Sequence, residues 1–230
     1  MPLTNYLIVV AAGSGSRYGA DLPKQFCPLG GRPLLMTTIE RLHAAAPGAR
    51  LIVVLSEEMR GFWSEMCREH GFGVPHEVVA GGASRAASVR NALAAVDADC
   101  VGWIGVHDGA RPMVTPEMMQ RLVEALSDGE ADGAIPAVAV TDSLREVGSD
   151  GVRSRAVDRS RFRAVQTPQL FPGSRLIAAN RLPLLPTHTD DASVMESAGF
   201  CRLRLVEGDA RNIKVTNPGD IEIVSLYLRE

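Results

Sequence analysis

Short apolar runs alternate with amphipathic helical stretches along most of this chain. The runs are rich in β-branched residues: YLIVV at 6–10, LIVVL at 51–55, and VGWIGV at 101–106, just before His107 and Asp108. Between them, apolar residues recur at helical spacing, as in PLLMTTIERLHAAA from Pro33. Near-continuous apolar strands separated by helices predict an α/β fold, with a mostly parallel sheet and helices on both faces. Ligands of such sheets bind beyond the carboxyl ends of the strands, so polar residues at those ends are the first candidates for chemistry.

Capping residues predict where several helices begin. Ser84 precedes RAASVRNALAAV, Thr115 precedes a helix with proline in its first turn, and Asn217 precedes the final helix, predicted over 218–228. Each of these three residues can accept a hydrogen bond from a free N–H of the first turn. Shortly before the last helix, NIKV at 212–215 predicts a late strand that carries Lys214.

The segment 141–161, TDSLREVGSDGVRSRAVDRSR, departs from this pattern because apolar residues are sparse and charges dense. Alternation in LREV and VRSRAV, with GSDG between them, predicts a β-hairpin; a mobile surface loop is the alternative. An isolated hairpin is marginally stable in water, so the arm needs a partner surface, most simply a second copy of the chain. We predict a single domain over 1–230, with 141–161 as a β-hairpin dimerisation arm.

Composition excludes several function classes. The formal net charge is −3 and the pI about 6.0, so no general basic field attracts nucleic acid or an anionic membrane. The four cysteines are widely spaced and show no metal-finger spacing, and the N-terminal residues show no leader pattern. No apolar run approaches membrane-spanning length. We expect a cytoplasmic protein that binds neither nucleic acid nor membrane.

The loop after the first strand carries the clearest chemical signal. Gly13, Gly15 and Gly19 weakly match a dinucleotide-binding fingerprint, but the first clear helix begins only at Pro33 and no acidic residue ends the second strand at the required distance. Glycines also let backbone N–H groups approach an anion, and Arg17 and Lys24 add two positive charges. A triphosphate undergoing nucleotidyl transfer needs such fixed cations. The alternative is that both side chains merely solvate a loop.

Lysine is rare in this chain, which makes its positions informative. Lysine occurs only at Lys24 and Lys214, so 22 of the 24 residues that are lysine or arginine are arginines.

Asp108, at the end of a buried strand, is placed to hold Mg²⁺, which prefers oxygen ligands, although turn aspartates are common. Gly82, Arg85 and Ser88 lie where a strand meets a helix and are candidates for nucleobase recognition; an ordinary strand-to-helix turn is the alternative.

Seven ordered motifs resemble the 2-C-methyl-D-erythritol 4-phosphate cytidylyltransferase family: AAGSGSRYGADLPKQF, GGASRAASV, VHDGARP, VDRS, TPQLF, TDDAS and NIKVT. The match covers nearly the whole chain. The resemblance implies a Rossmann-like nucleotidyltransferase fold whose arm clasps a second subunit. It implies CTP and a polyol phosphate as substrates, pyrophosphate release, and Mg²⁺ as cofactor.

The resemblance also implies roles for individual residues. Arg17 and Lys24 resemble the pair that stabilises the reacting α-phosphate, and Asp108 resembles the magnesium ligand. Residues implied in nucleotide binding are Ala11, Ala12, Gly13, Ser14, Gly15, Gly82, Arg85 and Ser88. Residues implied in binding the polyol phosphate are Arg111, Ser143, Arg159, Thr167, Thr189 and Lys214, some of them contributed across the dimer. Ser143 stands where the family often has threonine, which loosens that assignment.

Two alternative functions remain open at this stage. The sister activity, a ribitol 5-phosphate cytidylyltransferase, would have the same fold and chemistry. An NAD(P)-binding protein would use the glycine loop but leave Lys24, Asp108 and Lys214 unexplained.

Overall fold

The computed structural model of the chain describes residues 3–13 and 22–229. Within these residues the strands are β1 Thr4–Val10, β2 Pro28–Leu29, β3 Arg32–Pro33, β4 Arg50–Leu55, β5 Glu77–Ala80, β6 Val101–Asp108, β7 Gly133–Ala139, β8 Arg145–Val147, β9 Ser154–Ala156, β10 Arg163–Val165, β11 Gln169–Pro172 and β12 Leu203–Glu207. The α-helices are α1 Leu34–Ala45, α2 Glu57–Glu69, α3 Arg85–Leu93, α4 Pro116–Leu126, α5 Gly173–Asn180, α6 Asp191–Ser197 and α7 Pro218–Tyr227. Short 3₁₀ turns cover Lys24–Phe26 and Arg159–Arg161.

The main sheet has the order β10-β7-β11-β6-β1-β4-β5, and β12 also pairs with β7. β1 is parallel to β4 and β6, β4 is parallel to β5, and β12 is parallel to β7, whereas β10 and β11 run antiparallel to their neighbours. The predicted α/β class is therefore confirmed. The chain moves from β1 outward to β4 and β5 and then returns to β6 on the other side of β1. This reversal places a crevice at the carboxyl ends of β1 and β6, where such sheets bind ligands.

Helices cover both faces of the sheet, as the continuous apolar strands predict. Along β1, Leu7 and Val9 pack on one face with α1, α2 and α4, while Tyr6 and Ile8 pack on the other with α3, α5 and α6. All four side chains are buried because successive residues of a strand point to opposite faces. A smaller apolar cluster joins α7 to β2 and to the segment after β6.

The predicted helix starts are confirmed. Ser84 and Thr115 accept hydrogen bonds from the N–H groups of Ala87 and Met118, and Asn217 forms a capping box with Asp220. No helix within the described residues is long and apolar enough to cross a bilayer.

The late strand predicted for NIKV does not form. Residues 212–216 lack strand pairing because their backbone groups bond elsewhere: Asn212 O accepts from Arg111 Nη1 at 2.9 Å, and Lys214 O accepts from Thr216 Oγ1 at 3.0 Å. Val215 N makes one backbone bond, to Ala110 O at 2.8 Å. This segment therefore crosses the end of the sheet as an extended loop.

A two-stranded hairpin forms within 141–161, as predicted. β8 and β9 pair antiparallel, Gly151 takes a φ of +69° in the turn, and the Asp150 carboxylate accepts from Arg153 Nε at 2.7 Å. Every residue of both strands is exposed. In the single chain this arm is stabilised mainly by its own backbone pairing and surface ion pairs.

Candidate functional site

The cleft predicted at the carboxyl edge of the sheet lies between the ends of β1 and β6 and has a volume of about 550 Å³. Ala11, Ala12 and Gly13 line it directly after β1, and Asp108 lines it as the last residue of β6. Val10 and Asp108 are partners in the sheet register, so the two strand ends reach the cleft side by side.

The start of the glycine loop is held by a glutamine that the sequence did not single out. Ala11 N still follows the sheet ladder and donates to Val54 O at 2.9 Å. Gln25, which is buried, donates from Nε2 to Ala11 O at 2.7 Å and to Gly13 O at 3.2 Å. Ser14, Gly15 and Arg17, predicted to complete this anion site, lie outside the described residues.

Lys24 opens a 3₁₀ turn and lines the same cleft. The turn is anchored through Phe26, whose buried ring packs edge-on against Phe62 with centroids 5.3 Å apart and lies 6.2 Å from Trp63. Lys24 therefore lies on a short rigid turn between a buried aromatic cluster and the cleft.

The third wall of the cleft is the turn between β5 and α3. A Cβ on Gly81 would lie 2.5 Å from Ala12 Cβ, so only glycine allows this turn to pack against the end of β1. The Ser88 hydroxyl accepts from Gly82 N at 3.0 Å and donates to Ser84 O at 2.9 Å. The hydroxyl proposed for nucleobase recognition thus holds the turn in shape, and the turn presents Gly82 and Ser88 to the cleft.

Asp108 is surrounded by three cations, the nearby Arg111 and two from distant parts of the chain. Its Oδ2 lies 3.0 Å from Lys214 Nζ and 3.3 Å from Arg111 Nε, and its Oδ1 lies 3.4 Å from Arg85 Nε. Burial alone would raise the pKa of Asp108, but the positive charges of Arg85, Lys214 and Arg111 outweigh it and hold that pKa well below its usual range. The carboxylate is therefore ionised at any physiological pH.

A second, smaller pocket of about 210 Å³ adjoins the first. Arg85, Asp108 and Lys214 line both pockets, while Arg111 and Thr189 line the second alone. The Asp108 cluster is thus the shared wall between two polar cavities.

Thr167 also reaches the second pocket, but its hydroxyl is engaged in the protein. Asp108 N donates to Thr167 Oγ1 at 3.0 Å, and that hydroxyl lies 3.1 Å from His107 Nδ1. His107 Nε2 lies 2.9 Å from the Arg111 carbonyl, which can only accept, so Nε2 carries the proton and Nδ1 accepts from Thr167. Burial lowers the pKa of His107 to about 4, which makes it a neutral structural link.

Ser143 and Arg159 lie outside both pockets of the single chain. Arg159 Nη1 donates to Thr141 O at the base of the arm, and both residues are exposed. Their predicted contact with the polyol phosphate is not formed by this chain alone.

Sequence reasoning missed Gln25, Asp191 and Asn212. Asn212 is fully buried and donates from Nδ2 to Thr167 O at 2.9 Å, joining the NIKV loop to the segment before β11. Gln25 adjoins Lys24 and Asp191 lies in TDDAS, so each was within a quoted motif. The adjacent residues in the sequence do not distinguish a polar side chain that hydrogen-bonds another segment from one that faces solvent.

Within the part of the chain that the structure describes, few side chains around the cleft could bind a metal ion. Among the described residues, no group of three or more His, Cys, Asp or Glu side chains is placed to hold a metal ion. Asp108 is the one carboxylate that lines the first cleft there. A lone charged carboxylate suits Mg²⁺ that takes its remaining ligands from substrate phosphates and water.

Comparisons with known proteins agree with this geometry. A model of the family 2-C-methyl-D-erythritol 4-phosphate cytidylyltransferase matches residues 6–230. The chain is similar to a protein of that name from Bacteroides thetaiotaomicron, at 44% identity over 96% of this chain and 98% of the relative. It is similar to another from Porphyromonas gingivalis, at 42% identity over 99% of both chains.

Solved structures give the same result for the fold. The crystal structure of 2-C-methyl-D-erythritol 4-phosphate cytidylyltransferase from Thermus thermophilus superimposes with a TM-score of 0.72 at 29% identity, over 100% of both chains. The family model and the relatives match nearly the whole chain, and the solved structure has the same fold. The chain therefore belongs to the 2-C-methyl-D-erythritol 4-phosphate cytidylyltransferase family.

Proposed function

We propose that this chain transfers a cytidylyl group from CTP to 2-C-methyl-D-erythritol 4-phosphate and releases pyrophosphate, with one substrate in each pocket. The observation that carries this function is the shared wall: Arg85, Asp108 and Lys214 line both the 550 Å³ cleft and the 210 Å³ pocket. Two phosphate-bearing substrates placed there meet at a cluster of positive charge. Family membership supplies the identity of the two substrates.

CTP would occupy the larger cleft. The turn at Gly82 and Ser88 would contact the cytosine, because its packing against β1 leaves backbone groups at the cleft wall. Ala11, Ala12 and Gly13 would receive the triphosphate, since Gln25 bonds the carbonyls of Ala11 and Gly13 and Lys24 lines the same cleft. Arg17 would add a second charge from the loop.

The polyol phosphate would occupy the smaller pocket. Arg111 and Lys214 supply positive charge there, and Thr189 supplies a hydroxyl at its rim. Thr167 would act indirectly, because its hydroxyl accepts from the Asp108 N–H and so fixes the carboxylate's position.

The reaction would be an in-line displacement at the α-phosphorus of CTP. A phosphate oxygen of the polyol forms a new P–O bond, and the bond to the oxygen that bridges to the β-phosphorus breaks. The electron pair of that bond leaves with pyrophosphate. Charge accumulates on the equatorial and leaving oxygens, and Lys24 would stabilise it as a fixed cation.

Asp108 would hold Mg²⁺ together with the phosphates of CTP. When bound, Mg²⁺ neutralises triphosphate charge and polarises the α-phosphate. Phosphate oxygens then offer alternative partners to Lys214, Arg111 and Arg85. The Asp108 carboxylate can therefore release one of these side chains and bind the metal ion instead.

Pyrophosphate release from CTP tests this function directly. We expect release with 2-C-methyl-D-erythritol 4-phosphate and Mg²⁺, and much less with ribitol 5-phosphate or with ATP in place of CTP. Faster release with ribitol 5-phosphate would contradict the proposed substrate.

The arm would hold a second copy of the chain. Its strands are exposed and include Val147 at 64% exposure, with Val152 at 85% in the turn between them, which is unfavourable for a hairpin left in solvent. Ser143 and Arg159 lie at the base of the arm, away from both pockets of their own chain. A swapped arm would bring them to the partner's second pocket.

Deletion of residues 143–155 with a short turn closing the gap tests this assembly. We expect a monomer by sedimentation and reduced turnover, because the exposed arm is the proposed contact. A matched point variant, Val152→Ser, should weaken the dimer without removing Ser143. A monomer with full activity would contradict both the arm's role and the shared pocket.

A further inference from the structure

Asp191 is a buried carboxylate beside the site that lines neither pocket. It is the first residue of α6 and is 1% exposed. Its Oδ2 lies 2.7 Å from Arg85 Nη2, the shortest ion-pair distance in the cluster around the shared wall. A carboxylate this deeply buried is retained only with a partner, and Arg85 is that partner.

The position of Asp191 is set by the backbone of α6, independently of Arg85. The Gln169 side chain, from β11, accepts from Ala192 N at 3.0 Å and donates to Asp190 Oδ2 at 2.9 Å. Asp190 in turn caps the helix by accepting from Ser193 N at 3.0 Å. The start of α6 is thus fastened to the central sheet, so Asp191 is a rigid anchor rather than a side chain that follows Arg85.

Arg85 contacts two carboxylates with different nitrogens. Nη2 faces Asp191 at 2.7 Å, and Nε faces Asp108 at the longer distance of 3.4 Å. A guanidinium is planar and rigid, so fixing Nη2 also fixes the direction of its other donors. Its side chain remains 25% exposed, and it lines both pockets.

Charge explains why a second carboxylate is needed. Asp108 is shared by Arg85, Arg111 and Lys214. With Asp191 absent, Arg85 would have Asp108 as its remaining carboxylate and would close on it, since paired N–H donors and a carboxylate favour a two-point contact.

We propose that Asp191 is a positioning residue that holds the Arg85 guanidinium at the junction of the two pockets, where it meets substrate phosphate instead of closing on Asp108. This inference rests on the proposed function, which supplies phosphates to both pockets. Arg85 then contributes where charge accumulates in the transition state, whereas the glycine loop continues to bind CTP in the ground state.

The test is steady-state pyrophosphate release by the full chain carrying Asp191→Asn, which removes the charge and keeps the shape. We expect kcat to fall about 10–100-fold, by analogy with the loss of a side chain that orients a metal ligand. The KM for CTP should change little. Arg85→Lys should give a similar loss, and adding Asp191→Asn to it should cost little more, because both changes disable one unit.

Asp132→Asn is the matched control, since Asp132 is also buried and lies 2.7 Å from Arg175 at the far end of the sheet. It should lower the melting temperature and leave kcat and KM unchanged. The inference would be overturned if the Asp191→Asn variant melts at a lower temperature but keeps the parental kcat. It would also be overturned if the effects of the two substitutions add fully in the double variant. If the Asp191→Asn variant does not fold, a parental kcat in the Arg85→Lys variant would by itself overturn the inference. A parent that releases no pyrophosphate would instead overturn the proposed function and this inference with it.

Discussion

Two buried aspartates with arginine partners lie at opposite ends of the sheet and are built differently. Asp108 ends β6 at the carboxyl edge, and Asp132 precedes β7 at the amino edge. Asp132 lies 2.7 Å from Arg175 Nη1 and accepts from Arg202 N at 2.9 Å. The three cations around Asp108 lie at 3.0, 3.3 and 3.4 Å. The shortest ion pair of the two aspartates is therefore the one between Asp132 and Arg175, while the Arg202 guanidinium lies 3.6 Å from Asp132.

Charge balance separates the two regions further. Around Asp132, Arg175 and Arg202 are offset by Asp132 and by Glu130, which lies 2.9 Å from Arg202. Around Asp108, the three cations Arg85, Arg111 and Lys214 face two carboxylates, Asp108 and Asp191. The second cluster carries an excess positive charge and lines two cavities.

Charge balance distinguishes the two ion-pair clusters. The cluster around Asp132 is balanced in charge and includes an ion pair of 2.7 Å. The cluster around Asp108 keeps unbalanced positive charge beside two cavities, an arrangement that suits the anionic substrates of the proposed function.

The largest expected effect comes from Asp108→Asn. Pyrophosphate release should fall by about 10³-fold or more, since metal-ion stabilisation supplies several kcal/mol to the transition state. The fold should remain intact because Arg85 keeps Asp191 as a partner. Rates across a magnesium titration, with circular dichroism as the folding control, would measure this. Near-parental turnover at ordinary magnesium concentrations would contradict the metal-ligand role.

Lys24→Arg tests whether the cleft needs a compact charge. Its turnover should fall about 10²–10³-fold, as for the loss of one oxyanion-type donor, because a wide planar guanidinium fits a crowded α-phosphate oxygen poorly. The KM for CTP should change much less. Steady-state turnover at saturating CTP measures this effect, and a thermal melt excludes misfolding. Parental turnover would show that any positive charge suffices at this position.

Asp132→Asn should affect stability alone. Breaking this buried pair should lower the free energy of unfolding by roughly 3 kcal/mol, the lower end of the usual range because its arginines are partly exposed. Urea denaturation and kinetics on the same preparation would measure both properties. A change in kcat would show that the amino-edge cluster is coupled to the site and would break the comparison.

The smallest effect is expected from an exposed pair. Arg204 Nη2 lies 2.7 Å from Asp128 Oδ2, near the amino-edge cluster, and the two side chains are 42% and 46% exposed. Arg204→Gln should leave turnover and the melting temperature nearly unchanged, because exposed ion pairs are screened and contribute little. A clear fall in the melting temperature in low salt would show that this pair belongs to the Asp132 cluster.

Much of the fold could be predicted from local patterns. The runs at 6–10, 51–55 and 101–106 became neighbouring strands β1, β4 and β6, and Ser84, Thr115 and Asn217 cap the helices they were expected to cap. NIKV was wrongly predicted to be a strand, because apolar residues around Lys214 also suit a loop that packs on the end of a sheet.

The candidate site could be predicted in part. One cleft is lined by several of the predicted site residues, among them Lys24, Gly82, Arg85, Ser88, Asp108 and Lys214. Thr167 was expected to contact substrate, yet its hydroxyl bonds Asp108 N and His107. Arg17, Ser14 and Gly15 lie outside the described residues, so their roles remain predictions, as do those of Ser143 and Arg159.

The sequence by itself determined the periodicity of each element, the caps, the glycine turns and the types of charged residue available for chemistry. These signals act over a few residues, through backbone conformation and hydrogen bonds within one turn. Only the tertiary structure decided that Arg85 contacts Asp191 and that Lys214 contacts Asp108. Those contacts depend on the order of strands in the sheet and on where distant loops cross its carboxyl edge. Because each partner alone resembles an ordinary surface charge, only burial and proximity in the folded chain assemble the charged cluster beside the cleft.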